Sequence, residues 1–233
     1  MDLGIPMSTV TSIGKVRPGS ATRSGAMFYT ALEVALVYAG ILYYIWRWQF
    51  TFPRLWMGLW AAVLLSHLAH RDTLRTLGLG WTALRSSAQV VLPLALVLYL
   101  PLVIYGYARH ALTPLAPDTR TLITLMKYGV WCLFQQYLTQ SYFHTRIASL
   151  VPNRHLGSLL VGVMFGSAHI PNPILMVATT LGGFIFAEIF ARHRNVWPLA
   201  LAQAVGGVLI AAVSPAPLIR HMRVGPGYFF YPR

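Results

Sequence analysis

WCLFQQYLTQSYFHTR, Trp131 to Arg146, lies in an apolar segment of helical texture that three amides interrupt, at Gln135, Gln136 and Gln140. Hydrocarbon offers an amide no hydrogen-bond partner, so amides within a bilayer face other helices or a cavity. On an α-helix, Gln136, Gln140 and His144 fall four apart and share one face. Gln135 is offset from them by about 100°. Interhelical hydrogen bonds of this kind are worth roughly 1 kcal/mol or less each, and that alone is a sufficient reason for their presence.

The segments around this one place it in a membrane. Of 233 residues, 56% are hydrophobic and only 10% are charged, fewer charges than a soluble domain of this length carries. Several apolar runs approach the roughly 20 residues a helix needs to cross a bilayer. They are continuous rather than alternating, which argues against a β-barrel. The expected fold class is all-α, a polytopic transmembrane bundle of about seven spans, with six and eight as bounds. The spans fall near Ala26–Trp46, Leu55–Leu68 (introduced by Pro53), Ala88–Tyr107, Leu122–Leu150, Leu156–His169, Ile174–Phe190 and Val196–Val213. His70–Ser87 is too polar to span, and its Leu74, Leu77, Leu79 and Trp81 suggest an interfacial segment. Pro93 and Pro101 are expected to kink the third span.

The formal charge of +13 does not imply nucleic acid, because the arginines cluster at the ends of apolar runs, where they anchor helices and set topology. An N-terminus in the cytoplasm with an odd span count leaves a small Lys/Arg excess inside. Residues 1–25 read as a flexible basic tail, 26–214 as the bundle, and 215–233 as a C-terminal tail whose PGYFFYPR aromatics suit the membrane–water interface. Cys132 is the sole cysteine; it excludes an internal disulfide and reads as a small core residue. Glu33, Lys127 and Glu188 are the charges inside spans. Glu33 and Lys127 could pair across helices, and Glu188 could reach Arg192.

Three segments, in this order, resemble the CPBP family of intramembrane proteases, the CAAX prenyl endopeptidases and bacterial bacteriocin-processing proteins. QQYLTQSYFHTRI, Gln135–Ile147, follows the frame of the family's EExxxR motif. FGSAH, Phe165–His169, matches FxxxH in full. TTLGGFIFAEIFARHRNVWPLALAQAVGG, Thr179–Gly207, follows the frame of the segment that carries HxxxN, and LGLGW at Leu77–Trp81 is similar to the short element before it. The resemblance covers about residues 75–214. It places the family's catalytic positions at Gln135, Gln136, Gln140, His169, Gln203 and Gly207, with Phe165 and His144 lining the cavity. Only His169 among the polar positions keeps the family's residue. The two glutamates, the arginine, the second histidine and the terminal Asn/Asp are replaced.

A carboxylate can take a proton near neutral pH and a primary amide cannot. Loss of that base removes about two to four orders of magnitude of hydrolysis on its own. One histidine among amides is not a zinc site, so neither metal nor cofactor is expected. The resemblance with these departures implies a pseudoprotease that binds a transmembrane or lipidated peptide in a bacterial cytoplasmic membrane, with lipid as its other partner. An active endopeptidase with unusual groups is the alternative. A small transporter or scaffold is a third, and it expects no meeting of Gln135, Gln136, His169 and Gln203.

Overall fold

The computed structural model describes residues 20–112 and 118–230. Most of the expected basic tail, with Lys15 and Arg17, lies outside them, as do residues 113–117 of the Pro-containing loop. The chain forms α1 (Ser20–Tyr43), α2 (Trp56–Ala69), α3 (Leu84–Ala108), α4 (Thr119–Gln136), a π-helical segment (Tyr137–His144) that runs on into α5 (Thr145–Leu150), α6 (Arg154–Ser167), α7 (Pro173–His193) and α8 (Trp197–Val213). There is no strand among the described residues. α1 begins at Ser20 rather than Ala26, since a formed helix extends cheaply by one bond per residue. It is prolonged by helical turns to Thr51.

The helix starts are set by side chains. Asp118, Asn153 and Asn172 each accept a backbone N–H three residues on, at 2.7, 3.1 and 3.1 Å. Each satisfies an amide that the helix leaves orphaned. Pro173 at the first position of α7 has no amide to satisfy.

Among the described residues, three helices are long and apolar enough to cross a membrane, Ser24–Thr51, Leu84–Ala108 and Pro173–His193, and Trp197–Val213 is a shorter apolar helix. α2 and α6 have 14 residues each, or about 21 Å at 1.5 Å per residue, short of a roughly 30 Å hydrocarbon core. The α4–α5 rod is long but interrupted by amides, hydroxyls and charges. The protein is an all-α integral membrane protein whose shorter and more polar helices rely on their neighbours. α7 is the central one: Ala187 packs with Val34, Val63, Tyr142 and Val161, while Phe186, Ile189 and Phe190 pack with Val91, Val196 and Leu199. Gly162 of α6 lets α7 approach, because a Cβ there would lie 2.6 Å from the Thr180 carbonyl.

The His70–Ser87 segment is a turn-rich loop up to Ala83, where α3 follows, with Leu77 buried and Leu74 and Trp81 exposed. Five successive carbonyls in it are each captured from elsewhere. Thr76 accepts from Arg194 (2.9 Å), Leu77 from Ser141 (2.5 Å), Gly78 from the Val196 amide (3.0 Å), Leu79 from the Trp197 indole (3.2 Å) and Gly80 from Asn195 (2.8 Å). Trp81 stacks on Trp197. Gly78 has φ +69°, and a Cβ there would meet Phe190 at 2.5 Å and the Arg194 backbone at 3.0 Å. Gly78→Ala is therefore expected to cost about 2–4 kcal/mol, from left-handed backbone plus overpacking. A detergent melting curve checks this; an unchanged midpoint would mean that the loop is not docked.

Candidate functional site

Gln136, Gln140 and His144, expected on one helix face, have different surroundings. The chain widens into a π-helix over Tyr137–His144, with i→i+5 bonding, a feature frequent at functional sites. Gln136, fully buried, donates through Nε2 to Gln203 Oε1 on α8 at 2.6 Å. Gln203 Nε2 donates in turn to Gln135 Oε1 at 2.5 Å. Gln203 thus sits astride the two neighbours despite their angular offset, and three amides form one directed chain. Gln140 is fully buried, and neither its amide nitrogen nor its oxygen has a hydrogen-bond partner among the described residues. His144 lies farther along, edge-on to Phe190. It lines a second, smaller cavity, beside Arg154 and Arg194, rather than the one that His169 lines.

His169 sits in the turn after α6. Its Nδ1 is 2.7 Å from the Phe165 carbonyl, an acceptor only, so Nδ1 carries the proton and donates. Thr179 Oγ1, 3.3 Å from the same nitrogen, donates its own proton to Leu175 O at 2.6 Å. The neutral ring then has Nε2 as its free acceptor. Phe165 packs edge-on against the imidazole, with centroids 5.0 Å apart.

Gln135, Thr139, Phe165 and His169 line a cavity of about 780 Å3, whose remaining wall is apolar and aromatic, with Tyr38, Trp60, Phe134 and Met164 among it. Trp56, Val130 and Trp131, which also line it, are exposed on the outside of the bundle. The C-terminal segment closes one end, with Met222 and Val224 in the wall. It is held by Asn172, which donates to Ile219 O (2.7 Å) and Arg223 O (3.1 Å), and by the Gly225 amide on Ile170 O (2.8 Å). Gln136 and Gln203 reach this cavity through Gln135.

Gly207 is the residue expected at the last motif position. A Cβ added there would collide with the Tyr128 hydroxyl of α4, which also hydrogen-bonds Cys132. Cys132 itself is fully buried.

Sequence reasoning missed a polar cluster. Glu33 pairs with Arg146 rather than with Lys127, which is exposed. Glu33 also accepts from Ser66 (2.5 Å) and Tyr142 (2.9 Å) and lies 3.0 Å from His70. Arg146 donates to Asp72 at 2.7 Å and to Ser66 at 2.8 Å, and His67 lies 2.7 Å from the same Asp72 oxygen. Burial raises the Asp72 carboxyl, but hydrogen bonds from Arg146 and His67 outweigh it and hold the group below the usual range. The signal was SHLAHRD, Ser66–Asp72, too dense in polar groups to be only the end of an apolar helix. Glu188 pairs with Arg154 (3.3 Å) and His155 (3.1 Å) more closely than with the expected Arg192 (4.0 Å).

No group of histidine, cysteine and carboxylate residues suited to a metal ion occurs among the described residues. Residues 117–209 match the family described as type II CAAX prenyl endopeptidase Rce1-like. That stretch contains every one of the candidate motif positions. No curated protein and no solved structure matches the chain.

Proposed function

We propose, from the premise that residues 117–209 form an Rce1-like segment, that this chain is a non-hydrolysing homologue of the CAAX-type intramembrane endopeptidases. In this reading it holds a prenylated or otherwise lipidated peptide, or an apolar transmembrane segment, in the 780 Å3 cavity. In the same reading its membrane is a bacterial cytoplasmic membrane. The observation that carries the reading is the amide chain Gln136–Gln203–Gln135. Its two bonds tie the three amides to one another where a hydrolase needs a proton acceptor, Gln136 Oε1 alone being left buried without a partner among the described residues, and no amide in it can become such an acceptor at neutral pH. Neutral amides also cost far less to bury than the charges they replace. The apolar cavity beside them, rimmed by exposed Trp56 and Trp131, suits a hydrocarbon chain entering from the bilayer.

The test uses purified protein in detergent and a photoreactive farnesylated peptide. Saturable labelling is expected, competed by unlabelled farnesylated peptide but not by the unprenylated one. Ala168→Trp, which fills the cavity from its wall, should abolish it. Absence of saturable labelling would sink the binding proposal. A second reading, residual endopeptidase activity, is favoured by one observation: the tautomer of His169 leaves Nε2 free as a base. It requires cleavage of the same peptide that disappears in His169→Ala. Under the first reading no product forms, and hydrolysis lies about two to four orders of magnitude below that of a carboxylate-bearing relative.

A further inference from the structure

A second, smaller cavity, of about 190 Å3, opens where α5, the start of α6 and the end of α7 come together. Two guanidinium groups and one imidazole line it, from Arg154, Arg194 and His144, between the aliphatic walls of Pro152 and Ala191. Arg194 makes no ion pair among the described residues. It spends one nitrogen on Thr76 O and Thr145 Oγ1 and lies over the Phe190 ring, which leaves its other donors unused. Arg154 pairs with Glu188, but that carboxylate is shared with His155 and Arg192. Asp72, the carboxylate next in reach of Arg194, is already engaged by Arg146 and His67. His144 is only 4% exposed and has no side-chain hydrogen-bond partner among the described residues; Nδ1 is sealed off, so Nε2 is the nitrogen that can meet a ligand in the pocket. A buried imidazole without a partner is costly unless something else supplies one.

We propose that this pocket binds a phosphate group. Unused guanidinium donors beside an imidazole match an oxyanion that accepts from several directions, and such charge-assisted bonds are the strong ones. The inference rests on no family reading: His144 occupies an unspecified position of the first motif, and the pocket lies at the other end of the bundle from His169. The phosphate could come from a lipid headgroup, since α7 is one of the helices fit to cross the bilayer and ends here, or from a soluble phosphate.

Thermal unfolding of the purified chain in neutral detergent separates these. The probes are inorganic phosphate and dihexanoyl phosphatidic acid, each titrated alone. A saturable rise in midpoint is expected. Stabilisation by the lipid alone assigns a headgroup, and stabilisation by inorganic phosphate assigns the bare anion. His144→Leu and Arg154→Gln should each raise the half-saturating concentration by about tenfold, the loss of one charge-assisted contact. No rise with either probe, or an equal response in both variants, overturns the proposal. Should the variants fold poorly, phenylglyoxal labelling of the unaltered protein decides instead. Bound phosphate must slow modification of both Arg154 and Arg194, and unslowed labelling overturns the site.

Discussion

Arg146→Met is expected to destabilise the protein by about 3–5 kcal/mol, the range for breaking a buried ion pair by removing one partner. Arg146 is 2% exposed and holds α5 to both α1 and the turn after α2. Without it, Glu33 and Asp72 retain only neutral or partly charged partners, and Ser66 loses two donors. The measurement is the fraction surviving gel filtration after heating in detergent. Arg192→Met is the control: that side chain is 58% exposed and reaches Glu188 at only 4.0 Å, so at most about 1 kcal/mol is at stake. Equal losses in the two variants would show that the cluster is not structural. The pH dependence has a definite sign. The Asp72 carboxyl is held below its usual value in the folded protein. Its contribution is therefore present above the ordinary carboxylate range, about 4, and is lost as pH falls through the lower folded value. The gap between Arg146→Met and the unaltered protein should narrow in acid. A gap that stays constant there would mean that Asp72 is not the partner that matters.

The same residue shows where the sequence ceases to be informative. Continuous apolar runs and their Pro and Asn boundaries set out the helices well: α2 and α8 fall within a residue or two of expectation, and an all-α membrane bundle follows from composition. Partners across the bundle do not. Glu33 could be seen as an intramembrane charge needing a cation, and Lys127 and Arg146 lie on the same α4–α5 rod. Only packing decides between them, and it chooses the buried one. The π segment was illegible for a related reason. A spacing of four has one meaning on an α-helix and another where the turn widens, and nothing in YLTQSYFH marks the change. The family frame located the amides, but it could not show that Gln203 bridges both neighbours or that His144 leaves the group altogether.

Gly207→Asn, which would restore the family's residue type if the proposed motif alignment holds at this position, is expected to destabilise rather than repair. The Tyr128 hydroxyl already stands where the new Cβ would go. The obstructing atom is the far end of a side chain, so relief requires the Tyr128 ring to shift and give up its weak interaction with the buried Cys132. Overpacking of this kind costs typically about 1–3 kcal/mol and occasionally more. Tyr128→Ala alone should cost about 3–5 kcal/mol through the cavity it leaves. The two together should cost less than their sum, with a coupling of about 0.5–3 kcal/mol, because each relieves the defect of the other. Denaturant titration of the four proteins in one detergent gives the cycle, and strict additivity would refute the contact. The consequence reaches the chemistry. Exchanging Gln135 and Gln136 for glutamates and Gln203 for histidine would put two carboxylates beside each other with Gln140, not arginine, behind them, and Tyr128 would still exclude the Asn. The neutral interior is thus held in place by at least two residues outside the amide chain itself. Activity is expected to return only when Gln140→Arg and the Gly207→Asn, Tyr128→Ala pair accompany the three exchanges. A variant carrying those three alone that cleaves the farnesylated peptide would show that the scaffold needs neither.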